Sequence, residues 1–226
     1  MNKRAYGAFL AYLLIGAAPL PPSPTPSASP ARQLKTIVNI RTTPFCNTIA
    51  QHFNAAVTPM LANDGDLDHV DEQLIDLDDV FHHYDYQIRY SDIRVQLIKH
   101  VDRIHKSLPV IQQQINQFRD GEKLTKDPQD AKQLHQIAEK LQLAYNKQYQ
   151  LATDLTGIIQ TMMTYQPPEN LDVAREELAE QRMPKEMRDL KSYLRFDGQR
   201  DVITQSENAA ADSAIDLVQK RCAPQR

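Results

Sequence analysis

Leu67, Val70, Leu74, Leu77, Phe81, Tyr84 and Ile88 recur at a 3-4-3-4-3-4 spacing, and Leu97, Val101, Ile104, Leu108, Ile111, Ile115 and Phe118 repeat the alternation. Apolar residues at this interval line one stripe of a helix, and a stripe kept up for about three heptads is a coiled-coil seam. The two runs are out of phase by one residue, with the slip near Tyr90 to Arg94. Read as continuous, residues 66–120 form one helix of ~80 Å at 1.5 Å per residue. A local change of winding or a short break sits at the slip, and Pro109 threatens a second break although the seam carries on through it.

The same logic places other helices on either side. Thr43 is an N-cap, with Pro44 at the first helical position. Phe45, Ile49, Phe53, Val57 and Met60 follow as a stripe, Pro59 kinks the helix, and Asn63-Asp64-Gly65 closes it. Gly121 ends the long segment. A third helix opens at Asp127-Pro128 and carries Leu134, Ile137, Leu141, Tyr145, Gln148, Leu151, Leu155, Ile158 and Met162 until Gln166-Pro167-Pro168 stops it. The short Gly121–Asp127 loop sets it antiparallel to the segment before it. A weaker region follows, with Leu171, Ala174 and Leu178, then Pro184, then Met183, Met187, Leu190 and Leu194 about it. Gly198 breaks the chain again, and a last helix from about Asp201 to Cys222 uses Ile203, Ala210, Ala214, Leu217 and Val218. The expected fold is all-α: an elongated antiparallel helical bundle or coiled-coil hairpin, its stripes serving as core.

The first residues read as an address. Lys3 and Arg4 precede Ala5 to Ala18, an uncharged, largely apolar run. It is shorter than the ~20 residues of a spanning helix and ends in small residues, as a secretory signal does. Residues 1–18 are therefore taken as a signal peptide, with a cleavage point anywhere up to 31; an uncleaved anchor is the alternative. Residues 19–33 are a Pro-rich linker suited to extended polyproline II, and 34–226 are the helical domain. The implied location is outside the cytoplasm, periplasmic or extracellular, with no membrane span after signal cleavage.

Cys46 and Cys222 are the only cysteines. In an oxidising compartment two thiols usually pair. Their spacing fits no redox Cys-x-x-Cys, haem or zinc motif. An intramolecular disulfide follows, and it places the start of the first helix beside the end of the last; free thiols or an intermolecular bridge are the alternatives.

Charge excludes one class of partner. Without Lys3 and Arg4 the chain has 24 Lys+Arg against 29 Asp+Glu, a net of −5 with His neutral. Nucleic-acid binding rests on neutralising phosphates, so an acidic chain is a poor candidate. The charge is also segregated. Residues 64–85 carry nine acids and no Lys or Arg, whereas Arg89, Arg94, Lys99, Arg103 and Lys106 face only Asp92 and Asp102 over 86–106. A helix acidic in its first half and basic in its second suits antiparallel self-association or a cationic partner, with Asp71, Asp76, Asp78, Arg94 and Arg103 as the interaction residues. A plain solvated face is the alternative.

Motifs for chemistry are sparse. Asp64, Asp66 and Asp68 alternate as in a calcium loop, but His69 stands where that loop needs Gly and Ile75 where it needs Glu. Asp79, His82 and His83 are candidate metal ligands, Asp79 and His82 having i, i+3 spacing; Asp66/His69 and Asp102/His105 repeat that spacing. The seam places His69, His82 and His83 on outer positions, where histidines among acids are ordinary. There is no Gly-x-Ser-x-Gly elbow, no glycine-rich phosphate loop and no His-Glu-x-x-His. The expectation is a non-catalytic protein without a cofactor, acting through a protein partner or a second copy of itself. A metal- or pH-responsive envelope protein ranks second, and an enzyme with an unrecognised site third.

Overall fold

The computed structural model describes residues 43–222 apart from 181, 185–187 and 189, together with the side chains of all of these except Ala179 and Lys191. The chain divides into Met1–Gln33 and Leu34–Arg226. Residues 1–18, expected to be a signal peptide, residues 19–33, expected to be a linker, and Met187 lie outside the described residues. Within them there is no strand, and six α-helices pack against one another. None is long and apolar enough to cross a membrane.

Thr43 caps α1 (Pro44–Asp79) as its sequence requires: the Thr43 hydroxyl accepts from the Cys46 amide at 3.2 Å, with Pro44 at the first position. The helix does not stop at Asn63-Asp64-Gly65. It runs on through Pro59 and Gly65 for 36 residues. Its buried stripe continues across the glycine, from Met60 through Asn63 and Asp64 to Leu67 and Val70, and burying it outweighs the cost of Gly65, about 1 kcal/mol relative to Ala.

The stretch 66–120, for which the slip allows either one continuous helix or a break, is divided between two helices. After α1 comes a 3₁₀ turn, Val80–His82, and α2 runs Tyr86–Asp120 in the opposite direction. Asp66 of α1 meets His100, Asn63 meets Ser107 and His52 meets Gln114, so descending α1 means advancing along α2. The seam residues Leu67 to Phe81 face inward, but Tyr84 is 93% exposed and Ile88 66%. The inward set restarts at Tyr86, Tyr90, Ile93 and Leu97. The one-residue phase slip thus marks a hairpin, a few residues earlier than Tyr90 to Arg94. The turn contains no Gly or Pro. It is fixed by Phe81 against Tyr86 (ring centroids 5.8 Å apart) and by Arg175, which donates to the Phe81 and His82 carbonyls at 3.0 and 3.3 Å. Pro109 lies within α2 without interrupting it.

A 3₁₀ turn, Gly121–Leu124, leads to α3 (Pro128–Thr164), capped by Asp127, whose carboxylate accepts from the Gln129 amide at 2.8 Å. Its antiparallel course against α2 is marked by Gln112 on Gln142, His105 on Thr156 and Tyr90 on the Met162 carbonyl. Two short helices follow, α4 (Leu171–Ala179) and α5 (Leu190–Leu194), then α6 (Phe196–Arg221). The last helix begins ahead of Asp201, and Gly198 lies inside it. The break falls instead at Arg195, which takes the left-handed conformation (φ 49°). That conformation costs roughly 1–2 kcal/mol in a residue with a Cβ. Here it is offset by Phe196 and Leu194, both buried. Arg221, Lys140 and Gln148/Glu207 contacts run α6 antiparallel to α3.

The interior consists of two apolar clusters. One, around Phe53, Met60, Ile115, Phe118, Leu134 and Leu217, fills the end that holds Cys46 and Cys222. The other, around Leu74, Phe81, Leu97, Leu155, Leu194 and Phe196, fills the hairpin end. Between them lies a layer of buried polar groups. Gln148 is fully buried; it accepts from Asn63 Nδ2 at 2.9 Å and donates to Glu207 Oε1 at 3.0 Å and the Met60 carbonyl at 3.3 Å. Ser107 Oγ donates to Asn63 Oδ1 at 2.7 Å. Four helices thus meet through one hydrogen-bonded layer, whose partners fit only one axial register.

Candidate functional site

The α1–α2 face carries the charged residues singled out by the sequence, and the hairpin changes their relation. The acidic and basic halves are not ends of one rod; they lie side by side on antiparallel helices. Arg103 donates to Asp66 Oδ1 at 2.5 Å, and Arg200 of α6 pairs with Asp68 at 2.5 Å. Part of the segregated charge is therefore matched within the chain. Asp76 is exposed and lines a cleft of about 180 Å³ with Gln73, Asp79, His83, Arg89, Asp92 and Ile93. Asp78 is exposed and Asp71 half-buried, and both have partners. Arg94 is half-buried beside Tyr90, where its charge acts against the effect of burial on that phenol.

At the hairpin, Asp79 meets His83 rather than His82: His83 Nε2 lies 3.1 Å from Asp79 Oδ2, an i, i+4 pair. His82 is exposed, and its carbonyl is held by Arg175. Arg89 donates to Asp85 at 2.8 Å, and this hydrogen bond holds the Asp85 carboxyl below the usual carboxylate range. Of the repeated Asp-x-x-His spacings, Asp102 pairs with Lys106 and His105 with Thr156. The alternating Asp64, Asp66 and Asp68 lie mid-helix. Asp64 is buried, while the other two are engaged across helices.

The densest polar cluster had no single signal in the sequence. His100 is only 6% exposed, and its Nδ1 lies 2.7 Å from Asp66 Oδ1 and 2.6 Å from Arg103 Nη2. The His69 ring of α1 lies against it at a tilt of 38°, centroids 4.8 Å apart, with His69 Nδ1 3.3 Å from Glu72 Oε2. Two imidazoles on facing helices thus each hold a carboxylate at Nδ1. Among the described residues no group of three His, Cys, Asp or Glu side chains forms a ready metal-ligand set. His100 lies three residues after Leu97 and one before Val101, on the flank of the inward stripe. That position could have flagged it, but its partner on α1 appears only once the hairpin folds back.

At the opposite end, the Cys46 and Cys222 sulfurs stand 2.10 Å apart, at disulfide distance, with Cα atoms 5.7 Å apart. Both residues are buried. The Thr43 cap places Cys46 in the first turn of α1, and Cys222 closes α6. Arg221 anchors the same end by bridging Asp127 and Asp130 of α3; its bond to Asp130 raises its own affinity for the proton.

The hairpin end also holds several tyrosines. Tyr90 donates to the Met162 carbonyl at 3.2 Å, and Tyr165 packs edge-on against it while donating to Glu177 at 3.2 Å. Burial pushes the Tyr165 phenol up to about 12 and that of Tyr90 further.

No family model, no curated protein and no solved structure matches the chain.

Proposed function

We infer that the chain is exported and works by interaction, as a structural or partner-binding protein of the cell envelope whose body is a helical bundle closed by Cys46 and Cys222. The observation that carries this reading is the cysteine pair. Two thiols from opposite ends of the helical chain, both buried and at bonding distance, suit a compartment that oxidises them and are out of keeping with a reducing cytosol. The charged start at Lys3 and Arg4, the apolar run to Ala18 and the prolines after it supply the matching address and spacer. The antiparallel courses of α1, α2, α3 and α6 support the bundle, with the apolar stripes spent on one another rather than on a second chain.

A partner would meet the outer face of the hairpin. Asp71, Asp76 and Asp78 lie on α1, and Arg94 and Arg103 on α2. With acids and bases on neighbouring helices, a second copy related by a two-fold axis would set each helix against its opposite charge. A protein partner would read the same alternation.

Export is tested by expressing the whole chain and a chain lacking residues 3–18, fractionating the cells and titrating thiols without reductant. The reading predicts a full-length product found outside the cytoplasm, shortened at its N-terminus, with neither thiol reactive. The deleted form is predicted to stay inside with both thiols reactive. A cytoplasmic product with free thiols in both cases would overturn it. Light scattering at low and high salt tests self-association: a salt-dependent dimer supports the homotypic form, and a monomer at low salt removes it.

A further inference from the structure

We propose that two copies of the chain pair through the outer face of α2, antiparallel about a two-fold axis near Val95. The proposal rests on the homotypic form of the interaction reading above and deepens it, committing the contact to one helix, one seam and one register.

α2 carries two apolar stripes. The inward one, Tyr86, Tyr90, Ile93 and Leu97, is buried in the bundle. The other begins in the turn at Tyr84 and continues at Ile88, Val95 and Ile98. With Ser91 in its one gap it holds the 4-3-4-3 spacing of a coiled-coil seam, on the side of the helix away from the buried set. Tyr84 and Ile88 are the members turned furthest out, while Val95 is 54% exposed and Ile98 40%. Large apolar side chains at this spacing, left in water on the far side of a helix whose other faces are packed, form an unpartnered strip.

The charges beside the strip name its occupant. Asp85, Asp92, Lys99 and Lys106 follow one another at intervals of seven along one flank, all exposed. The row reads acid, acid, base, base, so it is its own complement when reversed. In an antiparallel pair Asp92 faces Lys99 of the second copy and Asp85 faces Lys106, each contact occurring twice by symmetry. The same register sets Val95 against Ile98 of the second copy. A parallel pair would gather the acids of both copies at one end, and a shift of one heptad would set Asp92 against Asp92.

The inner pair is open to such a contact: among the described residues neither Asp92 nor Lys99 makes an ion pair. The outer two are held by exposed partners within the chain, Asp85 by Arg89 and Lys106 by Asp102, and such pairs cost little to exchange. The other flank offers Gln87 and Arg94, and Arg94 is half-buried beside Tyr90. From Tyr86 to Lys106 the seam is about 30 Å long at 1.5 Å per residue. It has four apolar side chains per copy, so the dimer is weak, and its exposed charges make it sensitive to salt.

The test is sedimentation equilibrium, at low and high salt, on the protein recovered from cells expressing the whole chain, with helix content of every variant checked by circular dichroism. The expected result is a monomer–dimer equilibrium that weakens as salt rises. Val95→Glu, at a position open to water, is expected to weaken the dimer by about tenfold or more, since it removes an apolar contact twice per pair. Asp92→Lys and Lys99→Asp are each expected to weaken it, and Asp92→Lys/Lys99→Asp together to restore it. The two sites lie about 10 Å apart along one helix, so the exchange re-forms the pair only between copies. Leu143→Glu, at an exposed apolar position of α3, is expected to leave the dimer unchanged. A dimer that survives Val95→Glu, or charge variants that do not rescue one another, would overturn the proposal and leave self-association standing. A chain monomeric at low salt would overturn both and leave the strip to a different protein.

Discussion

Replacing Gly65 by Ala separates two accounts of the chain, because they give opposite signs. If Asn63-Asp64-Gly65 ended a helix, an alanine there would be strained and destabilising. In the structure Gly65 is exposed in the interior of α1, and a Cβ built on it meets nothing within 4 Å. The change then gains the difference in helix propensity, about 1 kcal/mol, with no clash to set against it. For a domain of this size that corresponds to a rise in melting temperature of about 2–4 °C. Gly157 is in the same position within α3, also with open space around it, so Gly157→Ala is expected to add a similar increment. Thermal unfolding followed by far-ultraviolet circular dichroism on the two single variants and the double variant measures both the sign and the additivity. A fall in melting temperature for Gly65→Ala would show that α1 does not pass through that residue, and the reasoning built on its continuity would fail.

Three further outcomes follow from the packing. Gln148→Leu removes three buried hydrogen bonds and leaves Asn63, the Met60 carbonyl and Glu207 without that partner, a loss of roughly 3–6 kcal/mol at about 1–2 kcal/mol per affected group; urea unfolding checks it, and a variant as stable as the parent would contradict a stabilising role for these three bonds. Replacing Cys46 and Cys222 by Ala opens a loop of sequence separation 176, and chain entropy sets the loss at up to about 5 kcal/mol, read as a lower denaturant midpoint with helix content kept. The raised Tyr165 phenol makes stability pH-dependent. Unfolded tyrosine ionises near 10 while the folded group holds its proton to about 12, so its stabilising contribution is complete below pH 10 and is lost as pH rises through about 12; Tyr165→Phe is expected to flatten that part of a plot of midpoint against pH.

The sequence was legible where chemistry is local. The Thr43-Pro44 and Asp127-Pro128 starts, the stop after Thr164 and the inward stripe of α3 all follow from caps, prolines and periodicity within a few residues. The pairing of Cys46 with Cys222 follows from their being the only two cysteines, once the N-terminal run is taken to send the chain to an oxidising compartment. The hairpin at Val80–Asp85 was not legible as a turn, because it has neither glycine nor proline. Arg175, nearly a hundred residues on, holds its carbonyls. Its trace in the sequence is the phase slip, which fits a change of winding or a short break but does not by itself show that the chain reverses. Gly65 and Gly198 failed as punctuation because tertiary burial of the surrounding stripe overrides a single weak helix former. Glu207 lies four residues after Ile203 and three before Ala210, on the inward stripe of α6, so an ionisable residue at a core position was visible. Its partners were not, since Gln148 and Asn63 come from helices brought together only by the fold. His100 and Asp66 were obscured for the same reason: read along one rod they are 34 residues apart, and only the hairpin makes them neighbours.

The reversal of α1 into α2 is the claim on which the surface left for a partner and the His69/His100 pair both depend, and a distance measurement tests it most directly. Spin labels at the exposed positions Glu72 and Lys99, 27 residues apart in sequence, report it by electron resonance. The hairpin predicts labels on adjacent helices, whose axes lie about 10 Å apart, extended only by the label arms. A separation near 40 Å, the length of 27 residues in one continuous helix, would contradict it.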